Sequence, residues 1–95
     1  MDLNFEWDEA KAAANQKKHR VTFEEAATVF NDPLAVIFDD EVHSREEQRE
    51  IMVGHSTKER LLLVYFTERK GVIRIISARR ATKKERQDYE ENPIQ

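Results

Sequence analysis

Apolar positions follow a helical rhythm over the first third of the chain and an extended one after it. Leu3-Asn4-Phe5-Glu6-Trp7 alternates for a few residues and predicts a short edge strand. Asp8 is placed as an N-cap, and Ala10, Ala12, Ala13 and Ala14 then favour a helix to about Lys18. An acid opens that helix and Lys17, Lys18 and His19 close it, as its dipole prefers. After Arg20-Val21, Thr22-x-x-Glu25 has capping-box spacing, with Val21 and Ala26 set as a hydrophobic staple. Phe23, Ala26, Ala27 and Phe30 line one face of about two turns. Asn31-Asp32-Pro33 ends them, because proline disfavours a helical residue before it.

Beyond Pro33 the rhythm shortens. Leu34 to Phe38 predicts a strand, and 39–49 a polar connection. Ile51 and Val53 share a strand face, with Arg49 in line two residues upstream. Residues 55–59 read as a hairpin connection. Leu61 to Phe66 is apolar at every position, which is expected at the centre of a sheet. Glu68-Arg69-Lys70-Gly71 is another hairpin turn. Val72, Ile73, Ile75 and Ile76 predict a strand buried on much of both faces. It runs through a second capping box, Thr82-x-x-Glu85, into a helix from Lys83 to about Glu91, and Asn92-Pro93 stops the pattern. The order is a short strand, two helices, four strands joined largely by short turns, and one helix. It predicts an α+β fold built on a mainly antiparallel meander, with helices covering an apolar face.

Ninety-five residues predict a single domain over 1–95. The absence of cysteine excludes disulfides and thiolate zinc sites and fits a cytoplasmic location. No apolar run reaches membrane-spanning length, and Met1-Asp2-Leu3-Asn4 does not read as a signal peptide. A net charge of −3 argues against a general nucleic-acid coat, but the charge is unevenly spread. From Arg69 to Arg86 there are eight bases and one acid, which suggests a local anion site. From Asp32 to Glu50 there are seven acids and two bases. That run is either a solvated loop or an interface for a basic partner segment.

Each candidate for chemistry has a plain structural alternative. Arg79, where the last strand ends, can present a guanidinium fork to a phosphate or form a surface ion pair. Arg74 lies mid-strand on the Ile76 face and can equally pair with Glu47 or Glu50. Arg49, Arg74 and Arg79 make a three-guanidinium cradle if the meander brings their strands together. Ser77 can bond a phosphate or satisfy a backbone group. His19 can exchange protons or merely cap a helix, and Lys18 beside it can hold phosphate or stay solvated. Glu47 is a candidate general base or an exposed carboxylate. Arg80 and Lys83 belong to the same basic joint and are candidate phosphate contacts. Tyr89 can stack on a base but is better placed to pack on the sheet. His43 and His55 stand isolated in loops. Three scattered histidines without ligand spacing predict no metal site, and no cofactor is expected.

Several motifs stand in register over about residues 5 to 89. They are Phe5-x-Trp7-Asp8-x-x-Lys11-x-x-x-Asn15-x-x-Lys18-His19-x-Val21-x-Phe23-x-Glu25-Ala26, Phe30-x-Asp32-Pro33, Glu47-x-Arg49 with Gly54, and Arg74-Ile75-Ile76-Ser77-Ala78-Arg79-x-Ala81-Thr82-x-x-Glu85. Together they resemble the BrnT family of type II toxin–antitoxin toxins. The resemblance implies a fold similar to the RelE-type ribonuclease toxins and metal-independent cleavage of mRNA that halts translation. It also implies neutralisation by a DNA-binding BrnA antitoxin in a hetero-oligomer, with DNA reached only through that partner and no membrane involved. On that reading Arg49, Arg74, Arg79, His19 and Glu47 are catalytic, while Lys18, Ser77, Arg80 and Lys83 hold RNA phosphates. Arg20 departs from the pattern, where a glycine is expected to end the first helix. Two rivals remain: a binding module that breaks no bond, and a subunit acting mainly as co-repressor with its antitoxin.

Overall fold

The computed structural model describes residues 3–43 and 48–91. Strand β1 (Asn4–Glu6) leads into helices α1 (Glu9–His19) and α2 (Phe23–Thr28), the latter extended by a 3-10 turn at Val29–Asn31. Strands β2 (Val36–Asp39), β3 (Glu50–His55), β4 (Leu61–Arg69) and β5 (Val72–Arg80) follow, then α3 (Lys83–Glu91). They form one five-stranded sheet in the order β1-β5-β4-β3-β2, so the all-apolar β4 is its middle strand. The meander from β2 to β5 is antiparallel as expected, while β1 adds a parallel edge through Asn4–Glu6 against Val72–Arg74.

Alternation along β4 divides the interior into two layers. Leu62, Val64 and Phe66 point to the face covered by α1 and α2, where they meet Val21, Phe23, Ala26 and Val29. Phe30 bridges that layer edge-on between Phe5 and Phe66, with ring centroids 5.2 and 5.0 Å apart. Leu61 and Leu63 point the other way and pack with Val53, Ile51 and Tyr89 beneath α3. Tyr89 closes α3 onto the sheet by donating its hydroxyl to the Leu34 carbonyl at 3.0 Å. Burial pushes the pKa of that phenol up.

Local chemistry sets the joints. Asp8 accepts from the Lys11 amide at 3.0 Å as the N-cap of α1. Thr22 caps α2 by accepting from Glu25 N–H, but the Glu25 carboxylate does not return to the cap. It turns inward, where it is buried, to accept from Ser56 Oγ at 2.7 Å and from the Arg60 guanidinium through Nε and a terminal nitrogen. Thr82 and Glu85 do form the reciprocal box at α3, at 3.1 and 2.8 Å. Lys70 and Gly71, both at positive φ, make the two-residue turn between β4 and β5. Gly54 sits under the 29–35 crossing: a Cβ there would stand 2.7 Å from that of Ala35, so only glycine fits.

Arg20 ends α1 in the left-handed conformation (φ 60°, ψ 33°), its amide bonding back to the Gln16 carbonyl. The turn that favours glycine is therefore made by arginine, at a cost of about 1 kcal/mol. Arg20→Gly should raise stability by up to about 1 kcal/mol in urea denaturation, offset in part by the looser unfolded chain. Among the described residues no helix is long and apolar enough to cross a membrane.

Candidate active site

A register slip in β5 creates the site. Tyr65 pairs with Ser77 and Phe66 with Ile75, so Ile76 is an extra residue bulged out of the ladder. Strict alternation would put Arg74 and Ile76 on one face. The bulge instead leaves Ile75 and Ala78, three positions apart, in the same buried layer. Ser77 and Arg79 therefore face the α3 side with Tyr65 and Leu63, their partners on β4.

β1 pairs with β5 only as far as Arg74. Beyond it, α1 takes over the edge. Buried Asn15 treats Ala78 as a strand would, accepting from its N–H at 3.1 Å and donating to its C=O at 2.9 Å. The same amide also donates to the Val21 carbonyl at 2.9 Å, tying the α1–α2 link to the sheet. His19 follows Asn15 by one helical turn and is thus carried to the same edge. Asn15→Ala leaves these buried backbone groups without partners and should cost about 2–3 kcal/mol, read as a fall in the urea midpoint.

The result is a cavity of about 260 Å3 lined by His19, Arg49, Ser77 and Arg79, together with His43 and Tyr65. Arg49 arrives from the residue before β3, where its carbonyl accepts from Asp40 N–H at 2.9 Å and closes the ends of the acidic connection. Buried Asp40 in turn binds His43 Nδ1 at 3.0 Å, leaving the other ring nitrogen as the one that can act elsewhere. This histidine–carboxylate pair is local, set by a turn in which His43 N–H also bonds the Asp40 carbonyl at 3.3 Å. Its only signal in the sequence is an Asp three residues before a His.

Arg79 does not reach the cavity unengaged. Its two terminal nitrogens form a fork on Glu85 at 2.8 and 2.9 Å, with longer contacts of 3.4 Å to the Tyr65 hydroxyl and the Arg80 carbonyl. The Arg79 fork and the Thr82 amide hold the Glu85 carboxyl down at about 2, and Glu85 holds the Arg79 guanidinium above its ordinary value. One carboxylate thus serves both the helix cap and the arginine, joining β5 to α3. A guanidinium has five donors, so Arg79 retains capacity for an incoming anion.

The pH consequence has a definite sign. Glu85, and Glu25 beside Arg60 and Ser56, are acids whose folded pKa values lie below the ordinary 4.5. Their contribution to stability is complete above that value and is lost as pH falls, for Glu85 between about 4.5 and about 2. Urea midpoints should stay level as far as these two groups govern them from pH 7 to 5.5 and decline below about pH 4.5. In Glu85→Gln that decline should be shallower.

The expected three-guanidinium cradle is not assembled. Arg74 lies five residues back along β5 from Arg79, roughly 16 Å at strand rise, and pairs with Glu6 of β1 at 3.2 Å. Lys18, Arg80 and Lys83 are exposed and do not line the cavity. Glu47 lies outside the described residues. The structure therefore brings together His19, Arg49, Ser77 and Arg79 and adds His43, Asp40 and Tyr65. Among the described residues no three of His, Asp or Glu converge as metal ligands.

A small α+β sheet with a cationic, imidazole-bearing cavity at one strand edge is a frame for a protein that acts on phosphodiesters. Comparison with known proteins narrows that class. The model of the family described as "Ribonuclease toxin, BrnT, of type II toxin-antitoxin system" matches residues 7–85. The chain belongs to the BrnT family of ribonuclease toxins of type II toxin–antitoxin systems. Its fold is also that of the Brucella abortus ribonuclease toxin BrnT, known from a 1.1 Å crystal structure: TM-score 0.66, 21% identity, 86% of this chain and 100% of that one covered. No curated protein matches the chain in sequence.

Proposed function

We propose that this chain is a metal-independent endoribonuclease that cuts mRNA and so stops translation, and that a BrnA-type DNA-binding antitoxin neutralises it. One observation carries the reading: two guanidiniums, Arg49 and Arg79, and two imidazoles, His19 and His43, line a single cavity in a chain of a ribonuclease toxin family. Cleavage of this kind forms a bond from the 2′-oxygen to phosphorus and breaks the bond to the 5′-oxygen. A base takes the 2′-hydroxyl proton and an acid protonates the leaving oxygen. On this reading His43, oriented by Asp40, and His19 exchange these protons. Arg49, Arg79 and the Ser77 hydroxyl hold the phosphate oxygens as charge develops on them. Glu47 is the remaining candidate base. Lys18, Arg80 and Lys83 serve at most the flanking phosphates, and Arg74 stands apart with Glu6.

The Arg79–Glu85 fork favours a second reading, in which the basic joint is structural and the cavity grips RNA or a partner without cutting. Inducing the lone chain in cells and mapping new RNA ends separates the two. A nuclease yields discrete new ends in messages within one induction; a binding module yields none, and its absence of products would overturn the proposal.

A further inference from the structure

The second layer of the interior is not closed. Between β2, β3 and α3 lies an open groove of about 1130 Å3, floored by Val36, Ile51, Val53 and Leu63. Leu34 and Phe38 form its outer wall at 73% and 56% exposure, and Tyr89 forms the opposite one. The charged residues on its lining, Glu85, Asp88 and Glu90, are all acids, Glu85 being paired with Arg79 and Asp88 with the exposed Lys84 at 3.7 Å. Exposed Asp39 and Glu41 continue the same sign along the sheet edge that β2 forms.

This surface is unsuited to the substrate, since carboxylates repel phosphates and the floor offers no donors. A second copy meeting it about a two-fold axis would set the same acids against one another. What fits is a segment with apolar side chains for the floor and lysine or arginine at its borders. We propose that the groove is where the antitoxin protein docks, seating apolar anchors against Leu34, Phe38 and Tyr89 and basic residues against Asp88 and Glu90. The proposal rests on the toxin reading above. It places inhibition on a surface joined to the catalytic cavity by the Arg79–Glu85 pair, Glu85 lining the groove and Arg79 the cavity.

The test co-expresses the full chain with the protein encoded by the adjacent gene and measures their affinity. Leu34→Glu and Phe38→Glu, at side chains already in solvent, should each weaken binding about thirtyfold or more, as loss of an interface anchor does. RNA cleavage by each free variant should equal that of the wild type. In the wild-type complex, amide exchange should slow over residues 34–39 and 85–91, a measurement that decides the matter even if a variant fails to fold. Undiminished affinity in both folded variants, or protection confined elsewhere, overturns the proposal. So does weakened RNA binding, or altered self-association, with antitoxin affinity intact; these assign the groove to RNA or to a second copy. A wild-type chain that cleaves RNA without binding the neighbour sinks the groove alone, and one that does neither sinks the toxin reading as well.

Discussion

Arg79→Ala should lower the rate of RNA cleavage about a hundredfold or more while the protein stays folded. The size follows from removing one charge-stabilising donor from a preorganised site. Arg79→Lys should recover little, because an ammonium keeps the charge but not the planar fork that can engage Glu85 and a phosphate together. Arg74→Ala should stay within about twofold of wild type, since that residue pairs with exposed Glu6 at the far end of β5 and surface pairs contribute little. Initial rates on a defined RNA, with circular dichroism at the same temperature, check all three. A folded Arg79→Ala protein with full activity would reduce the Arg79–Glu85 pair to a joint between strand and helix.

The largest effect on stability belongs to Glu25. Glu25→Ala leaves the partly buried Arg60 guanidinium facing Ser56 and the Arg20 carbonyl without its counter-ion. Breaking such a pair from one side costs about 3 kcal/mol or more, and about 3 kcal/mol in a domain of this size lowers Tm by about 12–24 °C. Replacing both partners, as in Glu25→Leu with Arg60→Met, should cost less than Glu25→Ala alone, because no charge is left stranded. Thermal and urea melts of the three variants decide it. A double variant weaker than the single one would mean that Ser56 and the Arg20 carbonyl depend on the pair for more than charge balance.

Glu25 also shows why local patterns carry part of the fold and not all of it. Thr22-x-x-Glu25 and Thr82-x-x-Glu85 have identical spacing, and both threonines cap their helices. Only Glu85 completes its box, because the sheet offers Glu25 a stronger partner in Arg60, 35 residues away in the chain. Asp8, the Lys70-Gly71 turn and the apolar run of β4 depend on neighbours in sequence, and each stands where its pattern predicts. The parallel pairing of β1 with β5 and the Asn15 clamp join residues more than sixty apart and leave no local trace.

The same distinction governs the site. Arg49, Arg79, Ser77 and His19 were legible as charge and proton-exchanging groups near strand and helix ends, and they share the cavity. Arg74 falls outside the cavity because five strand residues separate it from Arg79, and because β1, whose arrival no local pattern announces, sets Glu6 beside it. By spacing alone His43 is an isolated loop residue. It becomes a candidate because Asp40, whose amide is held by the Arg49 carbonyl, binds its ring Nδ1 at 3.0 Å.

The most direct measurement uses purified, antitoxin-free chain and two RNA oligonucleotides that differ by a single 2′-deoxy substitution at the mapped cut. Attack by the neighbouring 2′-hydroxyl predicts multiple-turnover cleavage of the first, with a 5′-hydroxyl on the downstream fragment, and an intact second strand. Cleavage of both strands, or of neither, would contradict the assignment of the cavity.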